Sequence, residues 1–66
     1  MPNPVAELSS LAATLDDVTR RVSAMAEASA AGDETLSAEL FEIERDLRAA
    51  ARRLGRLLAG SPGATA

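Results

Sequence analysis

The side chains here that could do chemistry are arginines and carboxylates, and they fall in strips. Arg45, Arg48, Arg52 and Arg56 recur at spacings of 3, 4 and 4 within RDLRAAARRLGR. On a helix those spacings set four guanidinium groups along one outer stripe. Such a stripe suits phosphates, because each planar fork can donate two parallel hydrogen bonds to one anion. Two copies would present it to a phosphate backbone or to RNA helices. Nearby, Glu39, Glu42 and Asp46 share an acidic strip, and Glu34 lines up with Glu42 through Ala38. These carboxylates lack the inward-facing Glu-x-x-His arrangement of di-iron bundles. They read as a solvated acidic face that answers Arg20 and Arg21.

What is missing decides more. The chain contains no His, Cys, Lys, Tyr or Trp, so the usual general bases, nucleophiles and soft metal ligands are absent. Arg and Glu alone sustain catalysis in small helical enzymes such as the all-α chorismate mutases, but there the charges point into the bundle. Here no Arg or Glu falls on the apolar seams described next. The expectation is a protein that is not an enzyme, with no cofactor and no metal.

The strips need helices beneath them, and the chain reads as two. Asn3 can cap a first helix with Pro4 at its opening position, where a missing N–H is no loss. Leu8, Leu11, Leu15, Val18, Val22 and Met25 follow at spacings of 3, 4, 3, 4 and 3. That is an unbroken heptad seam, and it predicts a helix over 4–31. SAAGDETLSAE interrupts it. Gly32 is expected to stop the first helix in the left-handed conformation, and Asp33 to cap a second, with Glu34 favoured by the helix dipole. Leu36, Leu40, Ile43, Leu47, Ala50, Leu54 and Leu57 form the second seam. It predicts a helix over 34–59, then a disordered tail over 60–66 that Pro62 keeps from continuing the helix.

A turn at 32–33 makes the helices antiparallel neighbours. Folding back sets Leu8 against Leu57, Leu11 against Leu54, Leu15 against Ala50 and Val18 against Leu47. Val22 then meets Ile43, Met25 meets Leu40 and Ser29 meets Leu36. Charge agrees with that register: Asp16 and Asp17 approach the arginine-rich end, while Arg20 and Arg21 approach Glu44 and Asp46. Each such surface pair contributes only about 0–1 kcal/mol, enough to select a register. A single straight helix would instead hold Gly32 in its interior, at about 1 kcal/mol relative to Ala. The expected fold is all-α: one domain, an antiparallel two-helix hairpin of coiled-coil type.

Two helices cover only one stripe of each other. One flank carries Val5, Ala12, Thr19 and Ala26 on the first helix, and Ser37, Glu44, Ala51 and Leu58 on the second, with Phe41 beside them. Val5, Ala12, Ala26, Phe41, Ala51 and Leu58 are therefore expected to meet a second copy, or another protein, and complete a four-helix bundle. A chain of 66 residues needs that help. It buries only about 60% of its unfolded surface, and it has no disulfide or zinc to staple it.

A net charge of -3 argues against general nucleic-acid affinity. No run approaches the ~20 apolar residues of a membrane span, and MPNPVAELSS has neither the basic nor the apolar stretch of a secretory leader. With no cysteine, these features point to the cytoplasm and away from membranes. An all-arginine, alanine-rich composition suggests a GC-rich bacterial genome. The leading expectation is a non-enzymatic interaction or regulatory module, a homodimeric hairpin acting as adaptor or scaffold. The second is a small RNA- or DNA-associated regulator using Arg45 to Arg56. The third is the inhibitory partner of a toxin or sigma-type factor, with Phe41 and the small-residue flank buried against it. In length and hairpin plan the chain resembles the Rop family of plasmid copy-number regulators, dimeric helical hairpins that bind paired RNA loops. That likeness is of plan alone and gives no residue a role.

Overall fold

The computed structural model describes residues 3–60. Helix α1 spans Pro4–Ser29 and helix α2 spans Glu34–Ala59, and the two pack against each other as a hairpin with no strand among the described residues. Both starts are capped. The Asn3 side chain accepts from the Val5 N–H at 3.0 Å and from the Ala6 N–H at 3.5 Å. Pro4 takes the first helical turn, where it surrenders no bond. Asp33 Oδ1 accepts from the Leu36 N–H at 3.0 Å, meeting one of the four donors that a helix start leaves unpaired.

The turn differs from the sequence expectation. The first helix ends at Ser29 rather than at 31, and no described residue, glycine or otherwise, has a positive φ. Gly32 is therefore not a left-handed cap. The Ser29 carbonyl accepts from the Gly32 N–H at 3.1 Å and from the Asp33 N–H at 2.8 Å. That closes the last turn with right-handed residues, Ala30 among them at φ -58 and ψ -33. Asp33, at φ -145 and ψ 88, is the residue that leaves helical space. At the far end the Gly60 N–H donates to the Arg56 carbonyl at 2.8 Å. Residues 61–66 of the expected tail lie outside the described residues.

The seam also differs, and this has larger consequences. Between the helices lie Leu8, Ala12, Leu15, Thr19, Val22, Ser23, Ala26 and Ser29 of α1, and Ser37, Leu40, Glu44, Leu47, Ala51, Leu54 and Leu58 of α2, all buried or half-buried. Half of the expected seam is there: Leu8, Leu15, Val22, Leu40, Leu47 and Leu54. The other half, Leu11, Val18, Met25, Leu36, Ile43, Ala50 and Leu57, is exposed. The small-residue flank has taken its place. Ala26 is 0% exposed, and Thr19 and Ser37 are buried along with it.

Close approach explains the exchange. The Ser37 hydroxyl donates to the Ala26 carbonyl at 2.8 Å, in a buried bond that crosses from α2 to α1. A serine side chain is one heavy atom longer than alanine, so the two backbones must nearly touch for it to reach. Only small residues at the contact permit that, at the short end of the usual helix spacing of about 8–10 Å. The other buried hydroxyl is met within its own helix, Thr19 donating to the Leu15 carbonyl at 2.7 Å. Among the described residues no buried side-chain polar atom lacks a partner.

Candidate interaction face

Rotating both helices onto their small residues turns their large ones outward, and to the same side. Leu15 of α1 lines a shallow groove with Ala50, Arg53, Leu54 and Leu57 of α2. Leu15 and Ala50, expected to face each other, both border that groove. Val18, Val22 and Met25 line a second groove with Arg21. Together these residues form a front face. Its exposed members include Leu11, Met25 (58% exposed), Ile43 and Leu57 (59% exposed), and half-buried leucines fill the middle. Arg21 and Arg53 stand at its rim.

The expected interface residues are redistributed by the same rotation. Ala26, Ala12, Ala51 and Leu58 lie between α1 and α2, and Ala26 has no surface left to offer another molecule. Val5 remains exposed near the start of α1. Phe41 is 41% exposed but sits on the back face, two helical turns before Arg48. The reason is geometric: a stripe of apolar residues wide enough for two contacts gives its narrow edge to the partner that must approach most closely.

The back face carries the polar chemistry. Asp16 and Thr19 of α1 share a groove there with Arg48, Ala51 and Arg52 of α2, so Asp16 does approach the arginine-rich end. No ion pair crosses between the helices among the described residues, however. Arg20 pairs with Asp16 at 3.4 Å and Arg21 with Asp17 at 3.8 Å, each one turn away on its own helix. Arg45 pairs with Glu42 at 3.7 Å, and Arg48 with Glu44 at 2.7 Å. Neighbours one helical turn apart are already within reach, whereas bridging the hairpin would require extended side chains. The expected pairing of Arg20 and Arg21 with Glu44 and Asp46 across the hairpin is accordingly replaced by local pairs.

Glu44 is the one carboxylate drawn into the seam, with a side chain 14% exposed. Hydrogen bonds from Arg48 first, and then from the Ser23 hydroxyl of α1, hold its carboxyl below the ordinary range against the opposing effect of burial. It is an anchored structural acid. Of the expected arginine stripe, Arg45 and Arg48 are thus engaged by carboxylates, while Arg52 and Arg56 have no ion-pair partner among the described residues. Among those residues no cluster of three or more His, Cys, Asp or Glu is placed to hold a metal ion. No described helix is long and apolar enough to cross a membrane.

Sequence reasoning missed the roles of Thr19, Ser23 and Ser37, and the rim position of Arg21 and Arg53. A signal was present. Ala12, Thr19 and Ala26 repeat every seven residues, and Ser37 and Ala51 lie in one register on the second helix with Glu44 between them; a heptad register of mostly small residues marks close helix contact as well as leucines mark a bulky one. No protein-family model, curated protein or solved structure matches this chain.

Proposed function

We propose that this chain is a non-enzymatic protein–protein interaction module that joins a second copy, front face to front face, in a four-helix bundle and acts as an adaptor or scaffold. The observation that carries the reading is the front face itself, a continuous apolar surface built from both helices with Leu11, Met25, Ile43 and Leu57 in the open. Its size supports a second copy as occupant. Each 26-residue helix is about 39 Å long at 1.5 Å per residue. With a width of 19 Å, the whole side of the hairpin, rim included, projects on the order of 700 Å², so full cover by a second copy approaches the ~800 Å² per partner of a stable interface. Two-fold pairing places the same apolar grooves opposite each other and leaves Arg21, Asp46 and Arg53 at a polar rim.

The test is light scattering on a sizing column, with refractive index for mass and absorbance at 260 nm recorded together. The chain has no Trp or Tyr, so nucleic acid carried with it is plainly visible. The expected result is a mass twice 6.8 kDa and a silent ultraviolet trace. A 6.8 kDa species at every concentration would refute the second copy. A 260 nm signal that disappears in high salt would promote the arginine stripe, a second reading that rests on Arg52 and Arg56 and is weakened by the engagement of Arg45 and Arg48 with Glu42 and Glu44.

A further inference from the structure

The hairpin contains almost no core of its own. Among the described residues the only fully covered apolar side chain is Ala26, and the other buried side chains are the hydroxyl-bearing Thr19 and Ser37. No described side chain larger than alanine is fully buried. Every large aliphatic residue described is at least partly exposed, and Met25 and Leu57 of the front face are the most exposed. All four ion pairs among the described residues are between neighbours on one helix, so none ties α1 to α2. Among the described residues the side-chain hydrogen bond that ties α1 to α2 is that of Ser37 to the Ala26 carbonyl. Against this stands the conformational entropy of ordering both helices and the turn.

We infer that the hairpin folds only as it dimerises: the separated chain is a largely disordered monomer, and assembly of the front faces supplies the core that holds α1 against α2. This rests on the proposed front-to-front dimer and goes further, because a dimer could equally form from hairpins already folded. The physical distinction lies in where the large side chains are buried. In a self-sufficient hairpin they would be covered between the two helices of one chain; here the leucines between the helices stay half-buried, and Leu11, Met25, Ile43 and Leu57 stay exposed, until a second chain covers them. The consequence is functional. The amount of folded module depends on chain concentration, as for other obligate homodimers without a stable folded monomer, and the unpaired chain presents an unstructured, degradable form.

The experiment follows helicity and mass together on dilution of the full chain, by circular dichroism at 222 nm and by analytical ultracentrifugation. The expected result is that helicity is lost in step with the fall in mass from two chains to one, with a midpoint that coincides in both. A monomer that keeps its helicity would overturn the inference while leaving the dimer reading intact. A chain that is monomeric and helical at every concentration would overturn both. Met25→Glu provides the second arm. Met25 is 58% exposed in the hairpin, so a carboxylate there adds no clash to a self-sufficient hairpin but lies inside the front-to-front interface. The expected variant is a monomer with most of its 222 nm signal gone; a helical monomer would again refute coupled folding.

Discussion

Replacing Ala26 by leucine tests the small-residue seam at its tightest point. Ala26 is completely covered, and its carbonyl receives the Ser37 hydroxyl at 2.8 Å. Leucine adds three carbon atoms where there is no free space, so α1 and α2 must move apart or strain. Overpacking of this kind costs about 1–3 kcal/mol. Separation would also break the Ser37 bond, worth about 0.5–1.5 kcal/mol as a typical buried hydrogen bond. The sum is a destabilisation of about 1.5–4.5 kcal/mol, or roughly 6 °C or more in Tm for a domain of this size. Leucine is nearly as good a helix former as alanine, so the loss does not come from local propensity. The assay is urea unfolding at 222 nm, with wild type and Ala26→Leu at one fixed chain concentration because association shifts apparent stability. An unchanged or raised midpoint would show that Ala26 lies on a flank with room to spare, and that the leucine stripe is the true seam after all.

Further outcomes follow from the helix ends and from Glu44. A Cβ added at Gly55 meets nothing within 4 Å, so Gly55→Ala should raise stability by about 0.8–1 kcal/mol, read from the urea midpoint. Gly32 has no positive φ, and a Cβ added there also meets nothing within 4 Å. Gly32→Ala should be neutral or stabilising by up to about 1 kcal/mol; a loss would restore the left-handed cap. Asp33→Ala removes the acceptor for the Leu36 N–H and should lower stability by about 0.5–2 kcal/mol, with the first turn of α2 losing amide-exchange protection. Because the folded carboxyl of Glu44 titrates below its ordinary value of 4.5, its contribution is present above that value and is lost as pH falls through the lowered one. The urea midpoint should therefore drop as pH falls below about 4.5, and drop less in Glu44→Gln.

The hairpin was legible because its signals are local. Asn3 with Pro4, and Asp33 with Glu34, are short-range starts whose hydrogen bonds involve residues two or three positions away, and the heptad repeats between them require no knowledge of the partner. The turn was harder. Gly32 beside Asp33 is a familiar stop-and-start pair, yet the Ser29 carbonyl closes the turn with right-handed geometry, which any residue could supply. The seam was harder still. A heptad pattern says which residues are apolar, and both Leu11 and Ala12 are; it does not say which edge of a wide stripe meets the first partner. That choice follows from how closely two backbones can approach, which depends on both helices at once, and Ser37 reaching Ala26 is its physical record. The interface residues are displaced for the same reason. The flank of Val5, Ala12, Ala26, Ala51 and Leu58 is largely the inside of the hairpin, and half of the large residues expected inside are the surface.

If a second copy covers the front face, Ile43 is the residue that registers it. It is the only isoleucine in the chain, it lies on the front face, and it is 44% exposed in the hairpin. With isoleucine methyl labelling the protein gives a single δ1-methyl resonance, needing no assignment. The measurement is its relaxation enhancement by a soluble, uncharged paramagnetic agent, made at a concentration where the chain is fully folded. The expected result is a shielded methyl, relaxed by the agent no more than a buried core methyl would be. A methyl relaxed as strongly as a freely exposed side chain, in a chain that is fully helical, would contradict it.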